Sequence, residues 1–261
     1  MKICTLASSS SGNCTVVSHG DAHVLIDAGI SLRRIRNGLF NMGLTPDDLS
    51  CVLVTHEHID HIKGVEMLMK YHKTPVFASG GTGDGISNAM PDVGPYINRF
   101  TTGVEFDLGG IIVQSFETPH DVYESVGYTL EAGGKKLVYA TDLGRLTDDV
   151  VEAACGSDIA IIEANHDRDM VRRGSYPEFL KKRVLSDFGH LSNIDCASLA
   201  VMSAASGTRY IQLSHLSREN NTPALARETV EFALLEHGIV VGKDVELDVA
   251  PAETAGRVYT I

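Results

Sequence analysis

Six consecutive residues, His56-Glu57-His58-Ile59-Asp60-His61, place three imidazoles and a carboxylate directly behind the apolar run Val52-Leu53-Val54-Thr55. Imidazole nitrogen and carboxylate oxygen are ligands suited to Zn, Mn or Fe, and four of them within six positions suit two adjacent divalent ions. More such side chains stand where other apolar runs stop: His120 after Ser115-Phe116-Glu117-Thr118-Pro119, Asp142 after 136–141, His215 after 210–214 and Asp27 after 24–26. Each alone would read as a satisfied core or capping residue. Delivered together from successive strand ends, they resemble the wall of a two-metal cup, because a buried sheet would hold each ligand rigidly. Of the 11 histidines, His19, His23, His72 and His237 fall outside these runs and read as surface residues.

The elements that must position these groups are short apolar runs between turn residues, which read as strands over 15–19, 23–27, 50–55, 74–78, 111–116, 136–140 and 159–162. Helical spacing follows His61 (Ile62, Val65, Leu68, Met69) and returns at 195–204 and 223–237, so the helices come singly and mainly in the later half. There is no repeat and no long Pro/Gly/Ser linker, and a single α/β domain over 1–261 with two sheet-rich halves is expected. Hydrophobic residues at 43% suffice for a sizeable core, while a net charge of −12 argues against broad electrostatic coating of DNA or an anionic membrane. The N-terminus turns to Ser and Gly too soon for a signal peptide, and no apolar stretch approaches the ~20 residues of a membrane span. Five cysteines without a CxxC pair suggest reduced thiols and a cytoplasmic protein, with no membrane and no obligate protein partner.

The string THEHIDH at 55–61, the downstream His120, Asp142 after Tyr139-Ala140-Thr141, and His215 in LSHLS resemble the metallo-β-lactamase superfamily, over the whole chain. The resemblance implies an αββα four-layer sandwich with metals at the edge shared by its two sheets. It also implies that His56, His58 and His120 hold one ion, that Asp60, His61 and His215 hold a second, that Asp142 bridges them, and that Asp27 orients the loop from behind. His58 stands where the oxygen-reducing diiron branch typically carries Glu, which favours a hydrolase. His215 lies only 73 positions after Asp142, too close for the large nuclease insert of the RNase J type. The stretches Glu163-Ala164-Asn165-His166-Asp167, Gly189-His190-Leu191-Ser192-Asn193 and LSHLSRENN at 213–221, with LASSSSGNC at the start, resemble the YycJ/WalJ group of exonuclease-like phosphodiesterases. The later segment is also similar to tRNase Z, which implies that Glu163 and His190 supply the proton for the leaving oxygen, although Leu191-Ser192 follows His190 in place of Ser-Thr.

A phosphodiester also makes chemical sense here. Two divalent ions about 3.5 to 4 Å apart can activate a water and clamp the attacking and leaving oxygens. Asp60 could take the water's proton, and an acid such as His190, tuned by Glu163, would be worth roughly 10²- to 10⁴-fold against a poor sugar-alkoxide leaving group. His190 has a second reading, as an N-cap-like residue before a helix starting at Ser192-Asn193. His166 either lines the cleft or fixes its loop. The turn 8–13, with Asn13, either offers backbone N–H groups to a phosphate or is a tight turn before the next strand, the simpler of the two. Ser217, Arg218 and Asn220 read as caps of the loop after His215. The segment 168–183 carries six cations against two anions, a net +4, and Arg172, Arg173, Lys181 and Lys182 are either a phosphate track or a solvated helix face. The expectation is a phosphodiesterase with two divalent ions (Zn, Mn or Fe) using metal-bound hydroxide, exonuclease-like, 5′-to-3′, on nucleic acid, with DNA ahead of RNA. The rivals are a small-molecule metallo-hydrolase of a thioester, lactone or cyclic nucleotide, and a non-enzymatic domain, which would normally have lost ligands.

Overall fold

A computed structural model describes residues 1–261. In the first half the chain runs β1 (Lys2–Ala7), β2 (Cys14–His19), β3 (Ala22–Ile26), α1 (Leu32–Phe40), β4 (Cys51–Leu53), α2 (Ile59–Ile62), α3 (Val65–His72), β5 (Val76–Ser79), α4 (Gly80–Ala89), β6 (Ile97–Phe100), β7 (Phe106–Asp107) and β8 (Ile112–Glu117). It continues through β9 (Val126–Ala132), β10 (Lys135–Ala140), α5 (Asp148–Ala154), β11 (Ile159–Glu163), α6 (Arg168–Arg173), α7 (Glu178–Val184), α8 (Asn193–Ala205), β12 (Tyr210–Ser214), α9 (Pro223–Glu236), β13 (Glu246–Val249) and β14 (Val258–Thr260).

Two seven-stranded sheets result, in the orders β14-β1-β2-β3-β4-β5-β6 and β13-β12-β11-β10-β9-β8-β7. Each is antiparallel on one flank and parallel on the other, the change falling at β3 and at β10. Side chains alternate between two environments along each strand. In β3, Val24 and Ile26 join the inter-sheet cluster with Tyr128 and Tyr139, while Leu25 faces Ile35, Val65 and Leu68 beneath the helices. In β11, Ile159 and Ile161 face between the sheets and Ala160 and Ile162 face Leu199 and Val230 of α8 and α9. Three apolar layers thus separate helix, sheet, sheet and helix, the αββα sandwich. With both faces covered, the inner strands are near-continuous apolar runs, which is why they stand out in the sequence. No helix is long and apolar enough to cross a membrane.

The helices depart from the expected pattern, since four of them lie before β6. In α1, Ser31 caps the first turn by accepting from the Arg34 N–H, and only Ile35, Gly38 and Leu39 turn inward. Three arginines on nine residues hide so short an apolar stripe. α4 reads GGTGDGISNA, which propensity assigns to a loop. It is held as a helix by Ser79 at its cap, by Glu124 Oε2 accepting from Gly81 N at 2.6 Å, and by close packing: a Cβ on Gly85 would lie 2.6 Å from Glu57 Cγ. The single helix expected after His61 is two, α2 and α3, broken at Gly64, whose N–H turns to Ala28 O at 2.7 Å. β9, unexpected from sequence, lies between β10 and β8 in the second sheet.

Candidate metal centre

The carboxyl ends of β3, β4, β8, β10, β11 and β12 meet along one edge shared by the two sheets, where open α/β sheets gather their functional groups. Three of the residues just past these ends, Asp27, Asp142 and His215, have φ of 59°, 60° and 56°. That left-handed backbone costs a side-chain-bearing residue roughly 1–2 kcal/mol. It swings each side chain out of the strand direction and into the edge.

A second device holds α2. Asn13 N donates to Asp60 O, Gly29 N to Asn13 O and Ala28 N to His61 O, each at 2.8 Å. The 27–30 segment therefore lies flat against α2, so close that a Cβ on Gly29 would sit 1.5 Å from Asp60 O. Only glycine admits that approach.

Four of the rings that face the edge, His56, His61, His120 and His215, have their other nitrogen anchored, which selects the tautomer. His61 Nδ1–H donates to Asp27 Oδ2 at 2.7 Å, and Asp27 is itself held by Thr55 N and Thr55 Oγ1 at 2.8 and 2.9 Å. His120 Nδ1–H donates to Gly189 O at 3.0 Å, and His215 Nδ1–H to Glu163 Oε1 at 2.8 Å. His56 Nδ1 meets Thr55 Oγ1 at 3.1 Å. The free nitrogens then converge. His56 Nε2 and His120 Nε2 lie 3.0 and 3.4 Å from His58 Nδ1. On the other side, His61 Nε2 and His215 Nε2 each lie 3.6 Å from Asp60 Oδ2. Between them Asp142 reaches His61 Nε2 with Oδ2 and His215 Nδ1 with Oδ1, both at 3.4 Å.

Burial and the neighbouring carboxylates pull these rings in opposite directions. Burial pushes His56, His58 and His120 down, so these rings are neutral with lone pairs available. Burial works against protonation of His61 too, but Asp27, Asp142 and Asp60 outweigh it and raise His61 to about 9. Burial would raise Asp60, yet His61 and His215 hold it well below the usual carboxylate range. Asp142 Oδ2 and His215 Nε2 are buried without any hydrogen-bond partner, a costly state unless something binds them. Four overlapping groups, His56/His58/His120, His56/His61/Asp142, Asp60/His61/His215 and Asp142/Glu163/His190/His215, have atoms close enough to hold a metal ion. The donor set fits that cofactor.

Glu163, fully buried, presents Oε1 to both His215 Nδ1 and His190 Nδ1 (2.8 and 2.9 Å), and Oε2 to the N–H groups of Leu143 and Leu191 (3.0 and 3.2 Å). Burial alone would raise its carboxyl; His190 and His215 hold it far below. His190 lies at the rim, its ring centroid 5.1 Å from that of His120 and 5.3 Å from that of His215. It is not a helix cap, because Ser192 caps α8. His166 is buried, its carbonyl accepting from Asn193 N at 2.9 Å, and burial pushes its ring down to about 4. The turn 8–13 is a tight turn closed by Ser9 and Asn13 on each other, and Asn13 Nδ2 points at His61 Nε2 at 3.1 Å. Arg172 and Arg173 are not brought to the cup; both are exposed on α6 beside Asp169. Three further features belong to the site that sequence spacing does not reveal: Thr55, Ser8, whose Oγ accepts from His215 N at 2.7 Å, and the Arg183–Asp121 pair beside His120. Thr55, Ser8 and Arg183 lie in stretches the sequence singles out, but nothing local points to these contacts.

A family model described as a beta-lactamase superfamily domain matches residues 22–216, a stretch holding every cup residue. The chain is 36% identical over 245 residues to the exodeoxyribonuclease YycJ of Bacillus anthracis, across 93% of this chain and 92% of that one. It is 34% identical over 262 residues to the exodeoxyribonuclease WalJ of Streptococcus pneumoniae, across 97% and 96%. Among solved structures, the metallo-beta-lactamase fold protein YhfI of Bacillus subtilis superposes with a TM-score of 0.72 over 98% of both chains at 14% identity.

Proposed function

The chain belongs to the metallo-β-lactamase superfamily, and from that premise we propose that it is a metal-dependent phosphodiesterase holding two divalent ions, an exonuclease that shortens DNA from the 5′ end. The observation that carries this reading is Glu163 Oε1, which accepts from both His215 and His190. One carboxylate oxygen couples the metal cup to a rim histidine whose Nε2 makes no hydrogen bond. A proton donor so placed suits a substrate with a poor leaving group, and a sugar alkoxide needs it more than a thioester or lactone does.

Two ions held by His56, His58, His120, Asp60, His61, His215 and the shared Asp142 would supply an activated water and Lewis-acid polarisation of the phosphoryl oxygens. Asp60 accepts the proton of the attacking water. Asp27 and Thr55 keep His61 in one tautomer, and Gly189 O does the same for His120. His190 Nε2–H gives its proton to the departing oxygen while Glu163 fixes the ring through Nδ1. Asn13 and His166 hold the surrounding loops, and Arg172 and Arg173 meet the polymer's phosphates. The names of the two relatives at 34–36% identity support DNA as the polymer. The net charge of −12 favours instead the second reading, a small-molecule hydrolase.

End-labelled single strands of DNA and RNA with added Mn or Zn separate the two. The proposal expects a 5′ label on DNA to appear at once as mononucleotide and a 3′ label to pass down a ladder. No product from either polymer, with turnover of a thioester or cyclic nucleotide, would overturn it.

A further inference from the structure

One cation is fixed beside the cup at both its backbone and its head. Arg183, near the end of α7, donates from Nε to Asp121 Oδ2 and from Nη2 to Asp121 Oδ1, the latter at 2.8 Å. That same Oδ1 lies 3.6 Å from His120 Nε2, the nitrogen this ring turns toward the cup. Guanidinium, carboxylate and ligand nitrogen thus stand in series, two contacts from end to end. Of the cations in 168–183 only Arg183 is linked to a cup ring in this way: Arg168 is drawn to Asp195, Arg172 and Arg173 to Asp169, and Lys181 to Glu178. The backbone behind Arg183 is tied to the same ring. Ser186 N donates to Arg183 O and His190 N to Val184 O, both at 3.2 Å, and the chain turns back so tightly that a Cβ on Gly189 would lie 2.2 Å from Arg183 O. Gly189 O is in turn the acceptor that holds His120 Nδ1. A guanidinium has five N–H donors, and Asp121 occupies two of them. The edge formed by Nη1 and Nη2 has no partner in the fold, and the side chain is 44% exposed. Such an edge presents two parallel N–H groups, the geometry that suits a phosphate.

We propose that Arg183 is a substrate-binding residue whose free edge grips a non-bridging oxygen of the phosphate next to the scissile one, with Asp121 as the positioning residue that aims it. This rests on the reading of the chain as a nuclease. The cup itself accounts for one phosphate. A polymer brings a neighbouring phosphate and a small diester does not, so this contact favours the polymer in a protein whose net charge of −12 otherwise repels it.

The metal-loaded wild-type protein and Arg183→Met are compared on DNA in which the phosphates nearest the 5′ end of the digested strand are made neutral one at a time, as methylphosphonates, and on bis(nitrophenyl) phosphate, which has no neighbouring phosphate. Arg183→Met should keep its metals, lower kcat/KM on DNA by about 5- to 50-fold, mainly through KM, and leave hydrolysis of the small diester unchanged. At one position the neutral linkage should cost the wild-type protein that same factor and cost Arg183→Met nothing further, a non-additivity that locates the contact. Arg183→Lys, which keeps the charge without the fork, should recover only part of the loss. No loss in Arg183→Met, or additive losses at every position, overturns the contact. If Arg183→Met and Asp121→Asn instead both release metal and slow the small diester alike, the pair is a latch for His120 and the proposal falls. A wild-type protein that digests no DNA overturns the nuclease reading beneath it.

Discussion

Replacing Glu163 by Gln removes one charge and one acceptor at a point where four N–H groups converge. The carboxylate accepts from His215 and His190 with one oxygen and from Leu143 and Leu191 with the other. An amide can satisfy only one of these pairs. With its oxygen toward the imidazoles, its NH₂ faces two buried backbone N–H groups, each stranded at about 1–3 kcal/mol. With its oxygen toward the backbone, which that cost favours, the NH₂ forces both imidazoles to accept at Nδ1. The proton then moves to His215 Nε2, the nitrogen that lies beside Asp60 in the cup. Such loss of a partner behind a ligand typically costs 10- to 100-fold in metal affinity, and the rim histidine loses its anchor as well. E163Q should therefore bind metal about 10- to 100-fold more weakly in a chelator-competition titration. Saturated with metal, it should still show a kcat reduced by roughly 10²-fold or more on DNA. Native metal affinity with native kcat would refute the coupling of cup and rim through one oxygen.

Elemental analysis should find two ions per wild-type chain and fewer in Asp142→Ala; full activity with one ion per chain would sink the two-metal reading. His190→Ala should keep its metals and lose roughly 10²- to 10⁴-fold in kcat on DNA, and much less on a nitrophenyl phosphodiester, whose leaving group needs no acid. Gly29→Ala should destabilise the fold by on the order of 3 kcal/mol in denaturant titration and abolish metal uptake, since Asp60 must move to admit the methyl group. Changing Arg172, Arg173, Lys181 and Lys182 together to Glu should weaken DNA binding and flatten its salt dependence by about 0.7–0.9 in log–log slope for every phosphate these cations neutralise; an unchanged slope would reduce the segment to a solvated helix face.

What can be read from the sequence is what is local. His56, His58, Asp60 and His61 sit within six positions, and His120, Asp142 and His215 each follow an apolar run, so spacing alone brings the strand ends and their side chains into view. What cannot be read depends on contacts distant in the chain. α4 is helical against its own composition because Glu124 caps it and Glu57 packs on Gly85. Thr55, an ordinary strand residue by type, fixes Asp27 and meets His56 and His61. The basic segment, one +4 block in sequence, folds as two helices, with Arg168 drawn to Asp195 and Arg183 to Asp121. Sequence order pairs Glu163 with His190 alone, and its equal claim on His215 emerges only when β11 and β12 lie side by side.

The three left-handed residues also bear on how such a chain would drift over generations. Asp27, Asp142 and His215 together hold several kcal/mol of backbone strain, at roughly 1–2 kcal/mol each, against a whole-domain stability of only about 5–15 kcal/mol. Glycine would relieve that strain at any of the three. Relaxed selection would therefore favour its arrival there, leaving a sturdier scaffold with an empty edge.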